Sequence, residues 1–214
     1  YEEMETIGAL QGRGAEYYQK LGYALQKNKK YAEAIDAYLK ADTLKPDNIW
    51  NNRHLAICYR LNRNYQAALS YYKKVEEATP EDTNVIFHIG SCLAELGQYE
   101  EAANYFFKLD FIESNCIKAW RGIGWCSFIS RKYEQAMKYY EKIIEQKPLA
   151  IDYMNAGHVA WTMGDIQKAA ALYGKSITAN GNRERFLEMF RKDKEALLKQ
   201  GIQEEDIPLM LDLL

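Results

Sequence analysis

The chain has 214 residues, 48% hydrophobic and 27% charged, enough for a sizeable buried interior. A formal net charge of −2 gives no strong field for nucleic acid or an anionic membrane surface, and no apolar run reaches the roughly 18–20 residues that span a bilayer. No signal peptide is visible, but the chain starts at Tyr1 without a methionine, so a cytoplasmic location is a weak expectation and an export signal stays open.

Residues 1–14 read as a partial or capping helix. Met4 and Ile7 fall where a second hairpin helix would carry apolar side chains. Either the chain is a piece of a longer array or this is a simple N-terminal cap.

From residue 15 onward a period governs the sequence. Small residues recur at Ala34, Ala68, Ala102, Ala136 and Ala169, spaced 34, 34, 34 and 33 apart. Gly22, Ala56, Gly90, Gly124 and Gly157 repeat the same spacings, as do Tyr38, Tyr72, Phe106, Tyr140 and Tyr173. Three of the four prolines, Pro46, Pro80 and Pro148, stand in the same register. Periods of this length indicate repeat architectures.

Each period divides into two helices. In the second, Leu55, Ala56 and Tyr59 share one helix face, Asn62–Asn64 break the pattern, and Ala68, Tyr72 and Val75 share another. Pro80 ends the unit because proline removes a backbone donor and disfavours helix before it. Gly97 and Gly164 sit where a left-handed residue closes the first helix. A small residue lets two helices approach closely, and the aromatic four residues after each alanine fills the space beside that contact. One hairpin cannot bury its apolar face alone, whereas stacked neighbours can.

These residues resemble the tetratricopeptide repeat family. With the proline of each unit set at position 32, the first repeat gives Tyr18, Leu21, Gly22, Leu25, Ala34, Tyr38, Ala41 and Pro46. The second gives Leu55, Ala56, Tyr59, Ala68, Tyr72, Val75 and Pro80; the third gives Ile86, Ile89, Gly90, Leu93, Ala102, Phe106 and Leu109, with Ser114 in place of proline. The fourth gives Trp120, Ile123, Gly124, Ala136, Tyr140, Ile143 and Pro148, with Ser127 at a usually aromatic place; the fifth gives Tyr153, Ala156, Gly157, Ala169 and Tyr173, with Gly181 at the proline position. The expected units run approximately 15–48, 49–82, 83–116, 117–149 and 150–182. The resemblance implies an all-α fold, a right-handed α-solenoid of stacked antiparallel helix hairpins, or α-α superhelix.

Residues 183–214 read as C-terminal capping helices. Phe186, Leu187, Met189, Phe190 and Leu197 share an apolar side, and Ile207, Leu209, Met210, Leu211, Leu213 and Leu214 make the terminus apolar enough to need burial. It can fold back on the cap, dock in the chain's own groove, or pack against another subunit.

Little in the sequence suggests chemistry, and no enzyme, cofactor or metal is expected. Cys58, Cys92 and Cys126 occupy one packing position in successive first helices, on the order of 10 Å apart, too far for a disulfide or a shared zinc. Cys116 is a lone loop cysteine. His54 and His88 sit at position 6 and His158 at position 9, and no catalytic set shares a helix face. Phosphate-binding glycine motifs are absent from the sequence.

An ideal helix turns ~100° per residue, so positions 2, 5, 9, 12 and 13 of each first helix cluster away from its hairpin partner. The family resemblance implies that this face lines a concave groove for ligand peptides. Tyr23, Trp50, Arg53, Ile57, Arg60, Phe87, Lys118, Arg121, Trp125, Phe128, Met154 and Trp161 are the candidate partner-binding residues. Aromatic and arginine residues are the types that anchor interfaces. The expected partner is a protein or peptide with apolar and acidic character, not nucleic acid and not membrane. The alternative is a structural segment that self-associates into a homo-oligomer through its C-terminal tail. The family's two-carboxylate clamp is not matched: in the first frame, for example, Gln19, Tyr23, His54, Asn84 and His88 stand where it needs lysine, asparagine and arginine.

Overall fold

The computed structural model describes residues 14–214. The partial or capping helix expected over residues 1–14 therefore lies, but for Gly14, outside the described residues. Among the described residues every regular element is a helix, so the class is all-α. The helices are α1 (Ala15–Lys27), α2 (Tyr31–Leu44), α3 (Ile49–Leu61), α4 (Tyr65–Ala78), α5 (Thr83–Glu95), α6 (Tyr99–Ile112), α7 (Ile117–Ile129), α8 (Tyr133–Ile144), α9 (Ala150–Thr162), α10 (Ile166–Asn180), α11 (Arg183–Lys199) and α12 (Asp206–Asp212). The chain divides into two compact units, Tyr1–Gly97 and Gln98–Leu214.

Local chemistry sets the helix ends. The side chains of Asn48, Asp82 and Asn182 accept hydrogen bonds from backbone N–H groups in the first turns of α3, α5 and α11, satisfying donors that the helix leaves unpaired. The turn inside each hairpin uses one left-handed residue at a fixed place: Lys29, Arg63, Gly97, Arg131 and Gly164 all have positive φ. Glycine takes that conformation without a Cβ clash, while the three basic residues take it at a cost.

In the first unit, α1 to α4 pack as two hairpins and α5 packs on α4. Its core joins Leu25, Ala34, Ile35, Tyr38, Leu55 and Cys58. In the second unit α6 to α11 pack each on the next. The small–aromatic pairing appears as direct contact. A Cβ added at Gly22 would come within 2.8 Å of the Tyr38 ring, at Gly124 within 2.9 Å of Tyr140, and at Gly157 within 2.5 Å of Tyr173. Tyr38, Tyr140 and Tyr173 have no exposed surface.

The terminal segment folds back on the cap. Arg183 Nη2 of α11 donates to the Leu211 carbonyl of α12 at 2.7 Å, and Lys194 pairs with Glu204 at 2.6 Å. Ile207 and Met210 are buried, while Leu209 and Leu213 remain exposed. The far end of α11 reaches the turn between α7 and α8. There Arg131 Nη2 donates to the Lys199 carbonyl (2.9 Å), Tyr133 donates its hydroxyl to Gln200 Oε1 (2.9 Å), and Gln200 Nε2 donates to the Ile129 carbonyl (3.3 Å).

Candidate functional site

Among the described residues of the first unit the most open aromatic surface is the pair Tyr23 and Trp50, 41% and 43% exposed. The two rings lie 6.3 Å apart. Trp50 stands in the first turn of α3, where Asn48 caps the helix by accepting from the Asn51 N–H at 2.9 Å. Asn51 in turn donates its Nδ2 to the Tyr38 carbonyl at 3.0 Å, tying α3 to α2. The helix turn that carries Trp50 is thus anchored by the polar bonds of its neighbours. Beside it an open pocket of about 430 Å³ is lined by Glu16, Gln19, Lys20, Tyr23 and Trp50.

His54, one turn after Trp50, completes the cluster. Its ring centroid lies 4.0 Å from Trp50, 5.6 Å edge-on from Tyr23 and 5.6 Å stacked on Tyr38. Aromatic pairs at such distances add about 0.5–1.5 kcal/mol each beyond burial. Gln26 Oε1 receives the Tyr38 hydroxyl at 3.0 Å and lies 2.9 Å from His54 Nδ1. Burial, helped by the positive charges of Arg53 and Lys27, holds the His54 imidazole down to about 4, so it is neutral at pH 7.

The other first-unit candidates are partly engaged within the chain. Arg53 Nη2 pairs with Asp82 at 2.8 Å. Burial pushes the Asp82 carboxyl up, but the Val85 N–H and the Arg53 guanidinium outweigh it, and Asp82 sits below its ordinary range. Arg60 Nε donates to the Tyr72 hydroxyl at 3.3 Å. Lys27 Nζ lies 5.1 Å from the Tyr23 ring centroid. Ile57 and Phe87 are half-buried.

In the second unit the candidates separate into two groups. Lys118, Arg121 and Trp125 keep partial exposure. Arg121 is nevertheless held by Asp152 through two bonds of 2.7 Å, and Lys118 pairs with Glu113 at 3.4 Å. Phe128, Met154 and Trp161, expected on the open face, are in the core, at 1%, 0% and 5% exposure. The cause is α11. Its Phe190 ring lies 6.4 Å from Trp161 and 5.4 Å from His158, and His158 stacks 6.4 Å from Phe128.

Sequence reasoning left out two polar networks. One is Arg121–Asp152, whose only sequence signal is an acidic residue near the start of the next repeat. The other joins His158 Nδ1 to the Tyr173 hydroxyl at 2.8 Å, with the Asp193 carboxylate 3.4 Å from a His158 Nε2 that makes no hydrogen bond among the described residues. It also left out His54, although the Trp50–His54 spacing of one helical turn places both on one face.

Cys58, Cys92, Cys116 and Cys126 are free and buried. Burial pushes the thiols of Cys58 and Cys126 up to about 12 and that of Cys92 to about 11, against thiolate formation. Among the described residues no group of three or more His, Cys, Asp and Glu side chains could hold a metal ion, and no helix is long and apolar enough to cross a membrane.

Two family models described as tetratricopeptide repeat match the chain and together cover more than half of it. One matches residues 60–126, and the other matches residues 15–48, 117–148 and 153–183. No curated protein matches the sequence. Among solved structures, YrrB, described as a TPR protein with an unusual peptide-binding site, superposes with a TM-score of 0.70 at 20% identity, over 87% of this chain and 97% of its own. MamA from Desulfovibrio magneticus gives a TM-score of 0.73 at 16% identity, over 79% and 96%. A tetratricopeptide repeat protein from Parabacteroides merdae gives 0.65 at 19% identity, over 99% and 90%. At these identities the likeness is one of fold.

Proposed function

The chain belongs to the tetratricopeptide repeat family, and we propose that it is a non-catalytic protein-interaction module whose first unit grips a partner segment on the face carrying Tyr23 and Trp50. One observation carries this reading. Two large aromatic rings 6.3 Å apart keep about two fifths of their surface open, and the helix turn that carries Trp50 is anchored by the polar bonds of Asn48 and Asn51. Rigid, amphipathic aromatic side chains supply contact area at small entropic cost, which is why they dominate interface hot spots. The peptide-binding site named for YrrB belongs to that protein; it supports the reading here only by showing that this fold accommodates one.

Arg53, Lys118 and Arg121 each meet a carboxylate within the chain, so an acidic partner is not needed to balance them. The recognition we propose rests on aromatic contact. A peptide library displayed on phage tests it, panned on the full chain and counter-selected on the Tyr23→Ala/Trp50→Ala variant. Sequences that survive counter-selection support the reading. If the same peptides enrich equally on the variant, the face is not the binding site.

Self-association is the second reading, favoured by Leu209 and Leu213, which are 64% and 63% exposed. Light scattering across concentration separates the two. A dimer that vanishes in Leu209→Asp/Leu213→Asp supports self-association, and a monomer throughout removes it.

A further inference from the structure

Gln26 Oε1 faces two groups, the Tyr38 hydroxyl at 3.0 Å and His54 Nδ1 at 2.9 Å. An amide oxygen has two lone pairs and no proton, so both neighbours must donate to it. The Tyr38 phenol does, since burial pushes its ionisation above the ordinary range. His54 therefore carries its proton on Nδ1, and its Nε2 holds an unshared lone pair. The only hydrogen bond His54 makes among the described residues is through Nδ1, which leaves Nε2 without one, and the residue as a whole is half-buried. It stands in a ring cluster made by Tyr23, Trp50 and Tyr38.

From this geometry we propose that His54 is the specificity-determining acceptor of the first-unit face, and that the partner inserts a flat, uncharged side chain with an N–H or O–H donor, a tryptophan or a tyrosine. The inference rests on the partner-binding reading above. Three features select that chemistry. The exposed faces of Tyr23 and Trp50 favour an aromatic plane. The lone pair of Nε2 demands a donor and repels a carboxylate. Cations are disfavoured because Lys27 already lies over Tyr23, and the charges of Arg53 and Lys27 act directly on His54. Leaving the acceptor unmatched penalises a phenylalanine, since a polar group would be desolvated without a bond.

The full chain is titrated with N-acetyl-tryptophanamide and with its indole N-methylated analogue, read by NMR at Trp50 and at the His54 ring nitrogens. Nitrogen shifts of the free chain should show a protonated Nδ1 and a bare Nε2. The unmethylated probe should bind about tenfold more tightly than the methylated one, the equivalent of one hydrogen bond, and His54→Phe should erase that difference while keeping the ring contacts. A protonated Nε2 overturns the proposal, as do equal affinities of the two probes, an unchanged difference in His54→Phe, or no binding of either. The broader reading fails by a different sign: peptides selected on the face would bind Trp50→Ala as well as they bind the unaltered chain.

Discussion

Arg121 and Asp152 meet in a bidentate pair, Nε to Oδ1 and Nη2 to Oδ2, both at 2.7 Å. The carboxylate is 1% exposed and also accepts the Leu149 N–H at 2.7 Å. The pair joins α7 to the start of α9 and makes Arg121 a structural clamp within the second unit. Removing the guanidinium would strand a buried charge. Arg121→Ala is therefore expected to lower stability by about 3 kcal/mol, and Arg121→Ala/Asp152→Asn by clearly less, in urea unfolding. Equal losses would show that the charge is not what costs.

The helix contacts at the small positions are tight enough to predict from distance. A Cβ at Gly157 would stand 2.5 Å from the Tyr173 ring, which is fully buried and cannot yield. Gly157→Ala should cost about 1–3 kcal/mol through overpacking. Gly174→Ala, where nothing lies within 4 Å of the new atom, should be neutral or stabilising because alanine favours a helix interior. Thermal unfolding of the two variants side by side checks the contrast.

Arg63 has a φ of 59° in the turn between α3 and α4, where other repeats place Gly97 and Gly164. A non-glycine residue there costs about 1–2 kcal/mol, part of which glycine returns to the unfolded chain as entropy. Arg63→Gly should raise stability by about 0.5–1 kcal/mol, and Gly164→Ala should lower it, in chemical denaturation.

His54 links stability to pH. Its folded imidazole protonates near 4 against an ordinary value of 6.5, because of burial first and then Arg53 and Lys27. Between those values the unfolded chain binds the proton and the folded chain does not, so this group's contribution is intact above 6.5 and falls as pH drops toward 4. Burial pushes the ionisation of the Tyr38 phenol, also packed on it, above the ordinary range, so that it stays neutral throughout. The stability difference between the unaltered chain and His54→Phe, measured by urea unfolding from pH 7 to 4, should move in favour of the variant as pH falls. A constant difference would exclude the linkage.

Much of the fold was legible because one period carried it. Tyr38, Tyr140 and Tyr173 recur at the spacing of the small residues they touch, so sequence alone announced the close helix approaches. The open face was less legible. Helical arithmetic located Tyr23 and Trp50 correctly as exposed side chains, but it treats a helix as if only its hairpin partner covered it. Phe128, Met154 and Trp161 obey the same arithmetic and are buried; Trp161 packs on Phe190 of α11, a helix outside the repeat whose resting place no periodicity foretells. Arg53 and Arg121 looked like a basic face for the same reason. Their carboxylate partners stand at the start of the next first helix, 29 and 31 residues on, a distance at which an acidic residue in the sequence does not announce its partner.

The most direct measurement is the affinity of one peptide, selected by panning on the full chain, for the unaltered chain and for Tyr23→Ala, Trp50→Ala and Arg121→Lys. Calorimetric titration should show a loss of at least about tenfold for each aromatic variant, the truncation cost of a hot-spot residue, with Arg121→Lys close to unaltered. Full affinity in Tyr23→Ala and Trp50→Ala, with both variants folded, would contradict a partner-binding role for this face.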